Sequence, residues 1–211
     1  MKNQFLLVFL FFVITISSCD KTCTKTFEGD EENRILSRVD FFYDCSDTTN
    51  FLHKAFYPNG QLAHSVEIIS GKRNGWYFEL DQNGDTLRKG NYKNGLREGL
   101  WIITATDTYL EKTYSEDTLE GRTREKHKNG TTINGQYSAN KETGKWIWNL
   151  PDSTKETRNY IDGELNGSLV SYYANGNKKW QAHYSNDSTY SDRIFFDSAG
   201  VVVTKDEWFE K

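Results

Sequence analysis

Histidines, cysteines and closely spaced acids are where this chain could do chemistry. The four histidines, His53, His64, His127 and His183, could move protons or bind metal. None lies four residues from another or beside a cysteine, spacings that would put two ligands on one metal. Exposed or edge positions are therefore expected for them. His183 adjoins Tyr184, so in a strand the two would point to opposite faces. Asp81, Asn83 and Asp85 alternate as at the start of a calcium loop, but the glutamate that closes such a loop is missing and a hairpin turn is the favoured reading. Asp30, Glu31 and Glu32 cluster in a polar stretch that reads as solvated. The sequence contains no Gly-x-Ser-x-Gly around a nucleophile. Its glycines do not spell the phosphate-binding Gly-x₄-Gly-Lys-Ser/Thr either. No catalytic residue, metal site or cofactor is expected, and the chain does not read as an enzyme.

The cysteines point to location. Lys2 precedes an apolar run, Phe5 to Ile16, too short for the roughly 20 residues that span a bilayer. A positive charge followed by a short apolar stretch is the pattern of a secretory leader. The run closes in Ile16-Ser17-Ser18-Cys19, which resembles the lipobox of bacterial lipoproteins. That resemblance implies cleavage before Cys19 and acylation of Cys19 with palmitate-like chains. Each buried methylene contributes about 0.8 kcal/mol, and two or more chains anchor stably. The expected location is the bacterial cell envelope, with inner and outer membrane both open. Cys23 and Cys45 would then meet an oxidising compartment. Two readings of them stay open, a disulfide or two free thiols.

Composition narrows the fold. The chain has 211 residues, 36% of them hydrophobic and 15% aromatic. Aliphatic side chains are scarce, so rings must supply much of the buried area, each burying roughly 150–250 Å². The formal charge of −4 is a mixed balance of 26 basic and 30 acidic residues. No basic face stands out, and nucleic acid is not an expected partner.

The elements that would position any site recur. Tyr92, Tyr114, Tyr137, Tyr160 and Tyr184 repeat every 22 to 24 residues, with Ile68 in register before them. A turn pair opens each unit: Asn59-Gly60, Asn83-Gly84, Asp107-Thr108, Asn129-Gly130, Asp152-Ser153, Asn175-Gly176 and Ala199-Gly200. Asn-Gly accepts positive φ at both central positions and suits a tight hairpin. About eleven residues on comes a second turn, cleanest in Gly71-x₃-Gly75, Gly95-x₃-Gly99 and Gly163-x₃-Gly167. Gly75, Gly99 and Gly167 are expected at positive φ. Two turns and two short strands fill each unit and leave no room for a helix of ten residues. The reading is all-β: an elongated single-layer antiparallel sheet of about six stacked hairpins, with repeats of 22–24 residues. The divisions are a leader at 1–18, then a lipidated cysteine, flexible tether and first strand region at 19–50. The repeat domain covers 51–204 and a tail covers 205–211.

Tyr57-Pro58-Asn59-Gly60-Gln61-Leu62 followed by Gly71-Lys72-Arg73-Asn74-Gly75-Trp76-Tyr77 resembles the MORN repeat. It is most similar to the variant found in YwqK-like toxin–antitoxin antitoxins. The pattern returns in Tyr92 to Trp101, Tyr160 to Gly167 and Tyr172 to Lys178. The resemblance implies an open hairpin sheet and binding rather than catalysis. Trp76, Trp101, Trp146 and Trp148, which follow the second turn, are the candidate binding face, because an open sheet has no second layer to cover both sides. The expected function is a membrane-anchored scaffold for a protein or an envelope glycan. The alternative is an antitoxin or immunity protein that neutralises a toxin by binding it.

Overall fold

A computed structural model of the protein describes residues 14–16, 22–28, 36–189 and 191–209. Cys19 and, apart from 14–16, the segment expected to be a leader lie outside the described residues. The chain divides into two compact units after Glu98.

Unit one contains β1 Ile14–Ile16, β2 Thr22–Glu28, β3 Arg38–Asp44, β4 Asp47–Phe56, β5 Leu62–Ile69, β6 Lys72–Leu80 and β7 Thr86–Lys93. Next come β8 Leu96–Ala105, whose larger part lies in unit two, β9 Thr108–Ser115, β10 Thr118–His127, β11 Thr132–Ser138 and β12 Lys141–Asn149. They are followed by β13 Lys155–Ile161, β14 Glu164–Leu165, β15 Gly167–Tyr172, β16 Lys178–Ser185, β17 Ser188–Thr189, β18 Ile194–Phe196, β19 Val202–Val203 and the short helix α1 Lys205–Phe209. Within unit one, each strand pairs antiparallel with the next. Unit two follows the same rule, with β14 and β17 as short spurs that β13 and β16 bypass to pair with β15 and β18. Each unit is an open antiparallel meander of hairpins, the all-β architecture that the repeat implies.

The two kinds of turn differ from their reading in sequence. In Pro58-Asn59-Gly60 only the glycine is left-handed, at φ 82°. Gly60 N–H donates to Tyr57 O at 2.9 Å, and Tyr57 N–H donates to Gln61 O at 2.9 Å. This is a right-handed turn closed by a left-handed glycine, not a turn with two left-handed residues. The doubly left-handed turns are the second ones: Ser70-Gly71, Asn94-Gly95, Glu116-Asp117, Ala139-Asn140, Asp162-Gly163 and Asn186-Asp187. Their twist matches that of the flanking strands, which is why two-residue hairpins use them. The third opening turn also moves by one residue, because Ala105 pairs with Thr108 and leaves Thr106-Asp107 between the strands. Gly75, Gly99 and Gly167 do lie at positive φ, at 69°, 71° and 98°.

Hydrogen bonds tie each repeat to the next. Tyr57 Oη donates to Leu80 O at 2.8 Å, and Tyr173 Oη repeats this with Phe196 O at 2.9 Å. Asn59 and Asn175 reach the carbonyls of Gln82 and Ser198 in the same way. Each link spans 23 residues, so one turn fixes the position of its equivalent one repeat further on.

The stretch read as a flexible tether contains a strand. Thr22–Glu28 pairs with Arg38–Asp44 along its whole length. Thr24 and Thr26 alternate with Cys23, Lys25 and Phe27, a period of two that suits a strand and that charge content alone conceals. Cys23 is bonded to Cys45, with their Cα atoms 5.1 Å apart. No helix among the described residues is long and apolar enough to cross a membrane.

Candidate binding face

The functional geometry starts from a bulge. On β12, Gly144-Lys145-Trp146 stand opposite the single residue Gly135, because Asn134 pairs with Ile147 and Gln136 with Thr143. In unit one Gly75-Trp76-Tyr77 stand opposite Val66 in the same way. On β10, Glu120-Gly121-Arg122 stand opposite Thr113. Each bulge contains one of the left-handed glycines, a conformation that glycine adopts without steric cost. The second residue after that glycine turns to the ring-bearing face. The first is thrown to the other face.

This decides the fate of the four tryptophans. Trp101 and Trp146 sit at the second position and are 3% and 4% exposed. They are core residues and do not belong to an accessible face, which corrects the expectation for both. Trp146 lies across Gly135, where a β-carbon would come 2.1 Å from its ring. Tyr137 and Tyr160 flank it edge-on at 5.2 and 6.1 Å. Its buried Nε1–H has no hydrogen-bond partner among the described residues. Trp148 stacks on Trp146 at 5.9 Å and is covered by the Arg158 guanidinium at 4.3 Å. Glu156 holds that guanidinium at 2.6 Å. Trp148 is therefore also part of the packed face.

Trp76 alone sits at the first position. It is 64% exposed and stacks at 6.1 Å on Phe78, itself 39% exposed. Trp76 pairs in register with Asn91, and Phe78 with Lys89 and Ser65. Two adjacent rings with the Lys89 ammonium and the Ser65 hydroxyl beside them form a platform, while the Asn91 amide donates to Tyr92 O at 3.2 Å. The platform can stack on the apolar face of a sugar or on an aromatic side chain with the ammonium and hydroxyl at its rim.

The opposite face of unit one carries a cluster whose partners are eleven residues apart in sequence. His53 and His64, on β4 and β5, approach at 3.3 Å between Nδ1 and Nε2. Their rings lie 5.0 Å apart, with Phe41 beyond His53 and Tyr77 beyond His64. Both are half-buried, which corrects the expectation of exposed or edge histidines. Burial holds both below the ordinary 6.5; charge repulsion with His64 and Arg73 lowers His53 further, and Glu79 opposes the shift of His64. Burial and the Glu79 carboxylate push the Tyr77 hydroxyl well above its ordinary range. His183 is exposed beside Ser168, and His127 approaches Glu125 at 3.6 Å. Among the described residues no group of three or more His, Cys, Asp or Glu side chains is placed to hold a metal ion.

No known family model matches the chain, and no curated protein matches it.

Proposed function

We propose that this protein is a lipid-anchored lipoprotein of the bacterial cell envelope, built of MORN-like hairpin repeats, that binds envelope glycan through its uncovered sheet face. The observation that carries the reading is the Trp76–Phe78 pair. A ring exposed by 64% contributes little to folding, so its place on a regular bulge is better explained by contact with a ligand. The repeated left-handed glycines support the family reading, and the leader with its Ser-Ser-Cys ending supports the anchor.

The test is capture of envelope glycan by the purified protein. Trp76→Ala and Phe78→Ala are expected to weaken capture while the melting temperature stays within a degree or two of wild type. Capture equal to wild type in both variants would remove the platform from the account. Labelled palmitate incorporated by wild type, and not by Cys19→Ala, checks the anchor separately.

A further inference from the structure

We infer that the uncovered face of unit two binds an acidic polysaccharide, through bulge residues that play the part Trp76 plays in unit one. The inference rests on the proposed binding role and names the ligand class for a second site.

The strand sequence Arg122-Thr123-Arg124-Glu125-Lys126 on β10 looks balanced in charge, yet a pleated strand sorts it. Thr123 is buried on the ring-bearing face, so Glu125 goes with it and Arg122, Arg124 and Lys126 take the other face. Arg122 is at a bulge position, and so is Lys145 on β12. Arg122, Arg124 and Lys145 line one groove of about 430 Å³, in which Glu111 is the single carboxylate. Glu111 accepts a hydrogen bond from Tyr109 Oη at 3.1 Å. No ion pair joins Arg122, Arg124 or Lys145 to a carboxylate among the described residues. The groove is a local excess of positive charge in a chain whose formal charge is −4.

Glu111 faces Arg124 across the strand pair without forming an ion pair with it. Three cations against one carboxylate leave the lining with an excess of two positive charges, and that excess calls for an anionic occupant. Arg122 and Arg124 stand about 7 Å apart along one strand, and Lys145 is two strands away, about 10 Å. A single small anion cannot touch all three, but a chain with repeated carboxylates can, and guanidinium matches carboxylate with two parallel hydrogen bonds. Between the cations, on β11, lie Asn134 and Gln136, and Thr113 lies on β9 at the other side of the arginines; these amides and this hydroxyl suit sugar hydroxyls. Among the described residues the groove lining has no aromatic ring, whereas sequence-independent single-strand nucleic-acid sites combine cations with rings that stack on bases.

The test is binding of the full protein to polygalacturonate, neutral dextran, single-stranded DNA and vesicles of an anionic phospholipid. Saturable binding to polygalacturonate is expected, weakening as ionic strength rises through about 0.15 M. Arg122→Gln, Arg124→Gln and Lys145→Gln combined should lower that affinity roughly tenfold or more. Removing the same charge at exposed Lys72, Lys141 and Lys205 should leave it unchanged. If the groove variant melts early, Lys145→Glu alone serves instead, with loss of binding again expected. Equal binding to dextran, tighter binding to DNA or vesicles, or unchanged affinity in the groove variants would overturn the inference. Envelope capture that persists without polygalacturonate binding would defeat this inference alone; failure to capture any envelope component would defeat the binding role itself.

Discussion

The two units use the same hairpin and the same left-handed glycine, yet they place tryptophan on opposite faces. In unit one tryptophan follows the glycine directly, in Gly75-Trp76-Tyr77. In unit two it comes one residue later, in Gly99-Leu100-Trp101 and Gly144-Lys145-Trp146. Side chains alternate with a period of two, so this single step turns a core ring into a surface ring. Position relative to the glycine, not residue type, separates packing from presentation. The cores differ to match. Unit two buries Trp101, Tyr114 and Trp146, whereas unit one fills the equivalent face with half-buried Tyr77, the His53–His64 pair and a disulfide.

Several substitutions would break or sharpen that contrast. The largest expected effect is Trp146→Ala, at about 3–5 kcal/mol for an emptied ring site. Trp76→Ala should stay within about 0.5 kcal/mol, as surface changes do. Chemical denaturation of both variants measures the difference, and similar losses would erase the distinction between the two positions. Next comes the Cys23–Cys45 bond, which closes a separation of 22 residues. Loss of a constraint of that length costs about 3 kcal/mol. Cys23→Ser with Cys45→Ser should raise hydrogen exchange in β2 and β3 while leaving β11 to β13 protected.

Gly135→Ala tests the packing of unit two at closer range. The added methyl meets the Trp146 ring, and overpacking of this kind costs roughly 1–3 kcal/mol. A wild-type melting temperature would show that the ring can move aside freely. Smaller again is a pH effect confined to unit one. His53 and His64 hold depressed values, below the ordinary 6.5. The unfolded chain therefore binds more protons than the folded one as pH falls below about 6.5. Stability should be full above that pH and decline as pH drops through the folded values, and His53→Gln with His64→Gln should flatten the decline. A steeper fall in the double variant would contradict the assignment. The smallest effect concerns Ala139, left-handed at φ 49°. Ala139→Gly should relieve strain and raise stability by up to about 1 kcal/mol, visible as a slightly higher melting temperature.

The spacing of Tyr92 through Tyr184 and of the glycines carried most of the fold, because a repeat of fixed length with two turns admits few architectures. Less legible was anything that depends on a one-residue offset. The offset of Trp76 and Trp101 from their glycines is visible in sequence, but the faces it assigns them are not until the backbone after the glycine is seen. Gly135 carries no mark in sequence of the ring it accommodates. The His53–His64 contact and the gathering of Arg122, Arg124 and Lys145 arise from pairing between strands, which local spacing does not encode. Thr22–Glu28 was masked by polar composition, since period-two alternation among threonines is a weak signal.

The most direct test of the account is Trp76→Ala measured twice, by thermal melt and by envelope-glycan capture. An unchanged melt with capture lost is the predicted result. A lowered melt, or capture that survives intact, would show that Trp76 is one more packing residue and that the uncovered face does not bind through it.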